Sequence, residues 1–237
     1  MAVPRAFHRG VTLRTGLLTV VAAVLLHFGL PGGSGAPGNA FIPDYNVYSI
    51  PSTSMAPTLQ INDYVMAFGL AKVARGDVVV YLLPKDRSTI YIKRVVGLPG
   101  DRVQMKGGVL QINGAPVKQE RLEDAELKDY DSKPRPVRQY LETLPGGVSH
   151  RIYDEVENGF LDNTAEVAVP AGHYFMMGDN RDNSSDSRVA QHGLVPAGNI
   201  LGQPTLIYFS LDEGESAWRF WRWPVAIRWS RLFSRVA

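Results

Sequence analysis

The chain has 237 residues, of which 45% are hydrophobic and 20% charged, so it can bury a core and is not globally disordered. The formal net charge of +2 disfavours a nucleic-acid partner, which requires a concentrated basic face. Cysteine is absent, which excludes a disulfide framework, a thiolate nucleophile and a cysteine-based zinc site. The five histidines show no metal-binding spacing, so no metal site is expected.

An apolar segment at residues 11–30 predicts one transmembrane helix. It lies at the short edge of the about 20 residues that span a bilayer. Arginines precede its uncharged part, whereas no Lys or Arg follows it before Lys72. Because positive charge stays cytoplasmic, residues 1–10 are expected inside and everything after Leu30 outside.

A cleavable signal peptide is the alternative interpretation of the same segment, with Gly38-Asn39-Ala40 as a passable cleavage site. Both interpretations export the rest of the chain and differ only in whether it stays tethered. Residues 31–40 are rich in Gly, Pro and Ser, which predicts a flexible linker.

Short β-type runs separated by turn residues dominate the chain from residue 41 onward. The Asn113-Gly114 pair is the strongest two-residue hairpin signal, and no helical apolar period occurs after the anchor. We therefore expect one mostly β, antiparallel catalytic domain over residues 41–237. The predicted strands are Tyr64–Phe68, Asp77–Tyr81, Tyr91–Val96, Val109–Ile112, His173–Met177 and Thr205–Phe209.

Residues 121–164 differ from their surroundings because they are more charged and less regular. This pattern is typical of a surface excursion between two halves of one core. It predicts a variable subdomain inserted at about residues 102–170.

The first segment with chemical interest, the serine segment, covers residues 50–59. It is dense in hydroxyl groups, and Pro51 and Pro57 limit the freedom of its backbone. Serine is also common in loops for turn chemistry alone, so this segment by itself does not establish a function.

The second, the lysine segment, covers residues 91–101 and places Lys93 and Arg94 inside an apolar β run. Strand alternation puts these two charges on opposite faces, so one of them should point towards the core. Burial lowers the pKa of a lysine and makes its neutral amine available as a general base. The alternative is that Lys93 reaches solvent or pairs with a carboxylate.

The third, the polar segment, runs from Gly178 to Arg188 and contains no apolar residue after the glycine. It fits a solvated loop, or a charge-paired loop that supports a catalytic site. A calcium loop of the EF-hand type is disfavoured because the required glycine and bidentate glutamate are missing.

The three segments, in this order behind an N-terminal apolar segment, resemble the signature boxes of type I signal peptidase, a bacterial serine–lysine peptidase family. The matching stretches are Ser52–Leu59, Tyr91–Asp101 and Gly178–Arg188. One departure is Thr53, where the family usually has glycine. Another is the single predicted transmembrane segment, since many family members have two.

The resemblance implies a role for individual residues. Ser54 matches the nucleophile and Lys93 the general base that takes its proton. The backbone N–H of Ser54 and the hydroxyl of Ser52 match the two oxyanion-hole donors. Within the polar segment, Ser184 matches a hydroxyl that orients the lysine amine, and Asp186 and Arg188 match a supporting pair.

The implied substrates are exported pre-proteins, bound extended beside a strand edge and cut after an Ala-X-Ala-like sequence. The implied location is the bacterial inner membrane, with a periplasmic catalytic domain, lipid as a partner, the export translocon nearby and no cofactor. The residues expected to form the apolar substrate pockets are Ile50, Pro51, Met55, Leu59, Tyr91 and Ile92.

The C-terminal tail alternates aromatic and basic residues between Trp218 and Arg231. This composition favours a membrane interface. The equal alternative is that the tryptophans pack on the β core while the arginines face water.

Three other functions compete with the signal peptidase interpretation. A Ser-His-Asp hydrolase would use His150, His173 or His192, but no G-x-S-x-G elbow is present. A relative that cleaves pilus or conjugation substrates would share the dyad. A non-enzymatic peptide-binding β protein is disfavoured because both dyad residues are present.

Overall fold

A computed structural model describes residues 45–129 and 133–236 of the chain. The anchor and linker predicted for residues 1–40 lie outside the described residues. Within the described ranges, no helix is long and apolar enough to cross a bilayer.

The described residues form a mostly β, antiparallel fold, as the sequence predicts. The strands in chain order are β1 (Tyr45–Ser49), β2 (Asp63–Phe68), β3 (Val78–Leu82), β4 (Ile90–Gly97), β5 (Arg102–Lys106), β6 (Val109–Ile112), β7 (Ala115–Pro116), β8 (Lys118–Arg121), β9 (Ala125–Leu127), β10 (Arg135–Thr143), β11 (Ser149–Asp154), β12 (Val167–Ala168), β13 (His173–Met177), β14 (Val195–Pro196), β15 (Ile200–Ser210) and β16 (Ser234–Arg235).

The largest sheet carries the serine and lysine segments. Its strand order is β1-β2-β15-β3-β4-β13-β14, and β16 pairs with β15. The long strand β15 pairs with β2 and β3, which are separated in sequence by a loop. Runs of β-branched residues such as Val78–Val80 fill both faces of this sheet and are fully buried, as suits a central strand.

Residues 102–168 form two smaller antiparallel sheets. One sheet has the order β11-β10-β8 with β9 on β10, and the other has the order β12-β5-β6-β7. The strands β10 and β11, at positions where no strand is predicted, pair over six consecutive positions. Among their charged residues, Glu142 is buried in an ion pair with Arg181, whereas the Arg138 side chain is 27% exposed.

The sheet that contains β5 and β6 packs against the largest sheet through an apolar cluster. Val103, Met105 and Leu110 from the small sheet contact the group that includes Phe175 and Met177 of β13. This contact fixes β13, and therefore the start of the polar segment that follows it.

The C-terminal tail folds back onto the largest sheet through short helical turns. These turns are Phe220–Arg222, Trp223–Ala226 and Trp229–Arg231. A further turn, Ala197–Asn199, precedes β15. Neither interpretation of the tail holds throughout. Trp223 packs on Phe209 with ring centroids 5.1 Å apart, whereas Trp218 is 77% exposed.

Two tail arginines do not face water freely. Arg228 and Arg231 both pair with Asp63, a buried carboxylate at the start of β2. The tail is therefore held by charge as well as by apolar contacts.

Candidate active site

Ser54 lies on a tight loop between β1 and β2. The loop closes through turn hydrogen bonds, including one from the Leu59 amide to the Met55 carbonyl at 2.8 Å. Met55 and Leu59 are buried in a cluster with Val65 and Ile207, so the loop is anchored in the core. Ser54 itself is half-buried and faces a cleft.

Lys93 meets Ser54 across this cleft. Lys93 lies in β4 opposite Val79 of β3, and its side chain is 2% exposed. Its Nζ donates a hydrogen bond to the Ser54 Oγ at 2.6 Å. Residues 39 positions apart are thus within proton-transfer distance.

Burial lowers the pKa of Lys93 to about 8, which is the direction that a general base requires. Asp186 and Asp179 oppose this effect by favouring the charged form, while Arg188 supports it. Desolvation prevails, so a substantial neutral fraction of the amine exists at mildly alkaline pH.

Arg94, the next residue of β4, is also buried, at 1% exposure. The sequence predicts that one of these two charges faces the core, but both are enclosed. The Arg94 guanidinium contacts the Asp179 carboxylate through Nε at 2.8 Å and Nη2 at 2.7 Å, and donates to the Gly76 carbonyl. Burial raises the pKa of Asp179, but the Arg94 charge, its hydrogen bonds and that of Thr58 together hold the pKa below its ordinary value.

The polar segment wraps beneath the lysine. Asp186 is fully buried, accepts a hydrogen bond from the Gly178 amide at 3.0 Å and pairs with Arg188 at 2.8 Å. The buried Ser184 hydroxyl makes no hydrogen bond of ordinary geometry within the described residues, although it lies close enough to lower the pKa of Asp186. A bond from Ser184 to Lys93 is therefore not formed in this arrangement.

Gly178 marks where the polar segment passes closest to the serine segment. A Cβ at this position would lie 2.2 Å from the Ser184 Oγ and 2.5 Å from the Ser54 carbonyl oxygen. The Asn180 amide also donates to that carbonyl, at 3.2 Å. Glycine is thus required here because no side chain fits between the two segments.

Ser52 and Thr53, which precede Ser54 in the serine segment, also make hydrogen bonds at the site. The Ser52 hydroxyl is exposed and donates to the Ser54 Oγ at 3.2 Å. The Thr53 hydroxyl is buried and accepts a hydrogen bond from the Asn183 side-chain amide at 2.6 Å. Thr53 therefore ties the serine segment to the polar segment, a contact that glycine at this position would lack.

The cleft around the dyad has a volume of about 590 Å³. Five of the six residues expected in the substrate pockets line it, and Leu59 does not. Leu59 is 0% exposed because it anchors the loop from below. The lining residues are Val47, Tyr48, Ser49, Ile50, Pro51, Ser52, Ser54, Met55, Ile90, Tyr91, Ile92, Lys93, Asn183 and Ser185.

No histidine takes the place of Lys93 within the part of the chain that the structure describes. The ring of His192 bonds to the Tyr81 hydroxyl, and that of His173 to the Ala171 carbonyl. His150 lies beside Glu142 and Asp179. None of the three contacts Ser54, which removes the geometric basis for a Ser-His-Asp triad.

Residues 40–209 match the family described as signal peptidase, peptidase S26. The chain belongs to this family. Signal peptidase I of Pseudomonas fluorescens is 40% identical over 191 residues, and that of Pseudomonas aeruginosa is 39% identical. Signal peptidase I of Rickettsia typhi is 33% identical over 194 residues.

The alignments cover 70% of this chain and 65% of the length of each Pseudomonas relative. The alignment with the Rickettsia typhi relative covers 69% of this chain and 71% of the length of that relative. A crystal structure of a signal peptidase I from Enterococcus faecalis V583 is 26% identical and covers 58% of this chain and 100% of its own. Its TM-score of 0.34 is too low to support a structural argument.

A buried charge network that no sequence pattern predicts joins the site to the smaller sheets. Glu142 of β10 pairs with Arg181 of the polar segment and lies 3.5 Å from the Nε2 of His150. Burial lowers the pKa of His150 to about 4, so this ring is neutral at physiological pH. Glu142 and His150 are directly opposite each other on β10 and β11, but no sequence signal aligned them with Arg181.

No cluster of three or more His, Cys, Asp or Glu side chains in the described ranges is arranged to hold a metal ion. The groups that approach the Ser54 hydroxyl are an amine and a second hydroxyl. This arrangement is suited to acyl transfer to serine.

Proposed function

We propose that this chain is a membrane-anchored signal peptidase I, a serine endopeptidase that removes signal peptides from exported pre-proteins. Ser54 is the nucleophile and Lys93 the general base. The observation that carries this proposal is the 2.6 Å contact between the buried Lys93 amine and the Ser54 hydroxyl at the floor of an open cleft.

The reaction begins when the neutral Lys93 amine takes the proton of the Ser54 hydroxyl. The Ser54 oxygen then attacks the scissile carbonyl, and the resulting ammonium returns the proton to the departing amine. In the second half Lys93 takes a proton from water, which attacks the acyl carbonyl; the ester bond then breaks and Lys93 returns the proton to the Ser54 oxygen. A lysine whose pKa lies near 8 serves both directions of transfer.

The negative oxygen of the tetrahedral intermediate is assigned to the backbone N–H of Ser54 and the hydroxyl of Ser52. The Ser52 hydroxyl is 3.2 Å from the Ser54 oxygen and therefore needs only to rotate. Removal of such a donor typically lowers the rate about a hundred- to a thousand-fold.

Asp186, Arg188 and Ser184 support the dyad from below. The buried Asp186–Arg188 pair keeps a negative charge near Lys93 without leaving it uncompensated. Ser184 packs against Gly178 and holds the polar segment against the serine segment.

The substrate backbone fits between two strand edges that are unpaired among the described residues. β1 is the terminal strand of its sheet, and β13 pairs with β4 only from Arg94 to Gly97, which leaves the start of β4 open. An extended peptide would add to these edges as a strand. Ile50, Met55 and Ile92 then surround the side chains next to the scissile bond and select small ones such as alanine.

The domain organisation and location follow from the sequence. Residues 11–30 anchor the chain in the bacterial inner membrane, residues 1–10 are cytoplasmic, and residues 41–237 form the periplasmic catalytic domain with a subdomain inserted at about 102–170. The exposed Trp218, Phe220 and Trp221 supply an aromatic surface for lipid head groups. Pre-proteins would arrive from a translocon nearby.

The test is cleavage of a peptide that spans an Ala-X-Ala site by the detergent-solubilised full chain. Ser54→Ala and Lys93→Met should abolish cleavage at the bond after the second alanine while keeping the fold. Ser230→Ala and Lys106→Met, at exposed positions away from the cleft, are matched controls and should retain it. Cleavage that survives in either dyad variant would refute the proposal.

A further inference from the structure

His192 lies on the loop that follows the polar segment and is 2% exposed. Its backbone amide donates to the Val189 carbonyl at 3.0 Å, which places it one turn beyond the Asp186–Arg188 pair. The ring turns inward and meets two tyrosines edge-on. Its centroid is 4.8 Å from that of Tyr91 and 5.7 Å from that of Tyr81.

His192 and Tyr81 share a buried hydrogen bond between the ring Nε2 and the phenol hydroxyl. Burial raises the pKa of Tyr81 well above its ordinary value, so this hydroxyl keeps its proton. Burial also lowers the pKa of His192 to about 4, so the ring is neutral. The other ring nitrogen, Nδ1, has no hydrogen-bond partner among the described residues.

The three rings form a wall beside the lysine amine. Tyr81 and Tyr91 are directly opposite each other on β3 and β4, with ring planes 25° apart. The Lys93 Nζ lies 5.7 Å from the centre of the Tyr91 ring. His192 contacts both tyrosines, so it fixes the ring that faces the amine.

The charged groups that act on His192 come from two neighbouring elements. Asp186 of the polar segment favours the charged ring, whereas Lys93 of β4 disfavours it. Tyr81 of β3 is the ring's hydrogen-bond partner. A neutral imidazole is compatible with all three groups because it adds no charge next to Lys93.

We propose that His192 is a positioning residue: its neutral ring, held by the Tyr81 hydroxyl, fixes Tyr91 and closes the pocket around the Lys93 amine. This inference rests on the proposed function, in which that amine is the general base. His192 does not touch the reacting atoms and acts through Tyr91 by excluding water.

The test compares four forms of the full chain in detergent, with lysine labelled by ¹³C at the ε carbon. They are the wild type, His192→Ala, Tyr81→Phe and the double variant Tyr81→Phe/His192→Phe. NMR titration gives the pKa of Lys93, whose signal is identified by its loss in Lys93→Met. Peptide cleavage across pH is the second measurement, and His173→Ala, a half-buried histidine outside the cleft, is the control.

His192→Ala should admit water and raise the pKa of Lys93 by about one unit, which lowers cleavage at neutral pH about tenfold. The ascending limb of the pH profile should move to higher pH by the same amount. Tyr81→Phe should give a smaller shift. The double variant removes donor and acceptor together, keeps both rings and should return the Lys93 titration close to that of the wild type.

The proposal is overturned if a folded His192→Ala titrates like the wild type, or if the double variant is no closer to the wild type than the single variants. If His192→Ala does not fold, the proposal is overturned when the Lys93 titration of the double variant is no closer to that of the wild type than the titration of Tyr81→Phe. A wild type without Ser54-dependent cleavage would refute the proposed function alone, because the NMR titration still reports on the pocket.

Discussion

Lys93 and Arg94 are consecutive residues of one strand, and both are almost fully buried on opposite faces. Lys93 has a serine hydroxyl as its hydrogen-bond partner, whereas Arg94 has the carboxylate of Asp179. The arginine charge is compensated and the lysine charge is largely not. Arg94 of β4 therefore stabilises the fold, whereas its neighbour Lys93 can act as a base.

The rate of peptide cleavage should rise with pH through an ionisation near pH 8. The neutral amine is the active form, and burial lowers the pKa of Lys93 to about 8, so the active fraction grows as pH passes this value. The measurement is kcat/KM between pH 5 and 10. A profile that rises near pH 4, where the ring of His150 titrates, would point to a different base.

Lys93→Met should make the protein more stable at neutral pH while it abolishes activity. The pKa of Lys93 falls from 10.5 to about 8 on folding, so the folded state disfavours the charge by about 3 kcal/mol. This penalty is complete below pH 8 and disappears as pH rises to 10.5. Urea unfolding should therefore show a stability gain at pH 7 that shrinks towards pH 10, with exposed Lys106→Met unchanged at both.

Breaking the Arg94–Asp179 pair should destabilise the fold strongly. Either Arg94→Met or Asp179→Leu leaves one uncompensated buried charge, which typically costs about 3–5 kcal/mol. The double variant should recover part of this loss because no lone charge is left. The unfolding free energies of the wild type, the two single variants and the double variant give the coupling energy between the two side chains. Strictly additive losses would contradict this coupling.

The hydrogen bond from Asn183 to Thr53 should matter for turnover more than for substrate binding. Thr53→Val keeps the shape but removes the acceptor, and a lost buried bond of about 1.4 kcal/mol corresponds to a tenfold lower kcat. Thr53→Ser keeps the hydroxyl and is the matched control. Equal kcat values in the two variants would show that the bond does not position Ser54.

The exposed aromatic residues of the tail should contact lipid in the membrane-bound protein. Trp218 and Trp221 are exposed, whereas Trp223 packs on the core. In full chains reconstituted with brominated lipid and retaining one tryptophan each, the fluorescence of Trp218 and Trp221 should be quenched more than that of Trp223. Equal quenching of all three would contradict a lipid-facing surface.

The local patterns that identified the serine and lysine segments were sufficient because each depends on neighbouring residues. A β run with alternating faces predicts β4, and the structure extends that strand by one residue at each end, from Ile90 to Gly97. The hairpin signal at Asn113-Gly114 likewise joins β6 to β7. In contrast, no strand is predicted in the charged stretch that contains β10 and β11, because the sequence alone does not reveal that Glu142 is paired.

The sequence by itself determined the β architecture, the order of the three segments and the family to which the chain belongs. Only the tertiary structure decided that both charges of β4 are buried, that Leu59 lies under the cleft and that His192 bonds to Tyr81. The physical reason is that alternation and turn chemistry are local, whereas burial and charge pairing depend on residues distant in the chain. The contact of Lys93 with Ser54 belongs to the second kind, since packing of β4 against the serine segment alone brings them together.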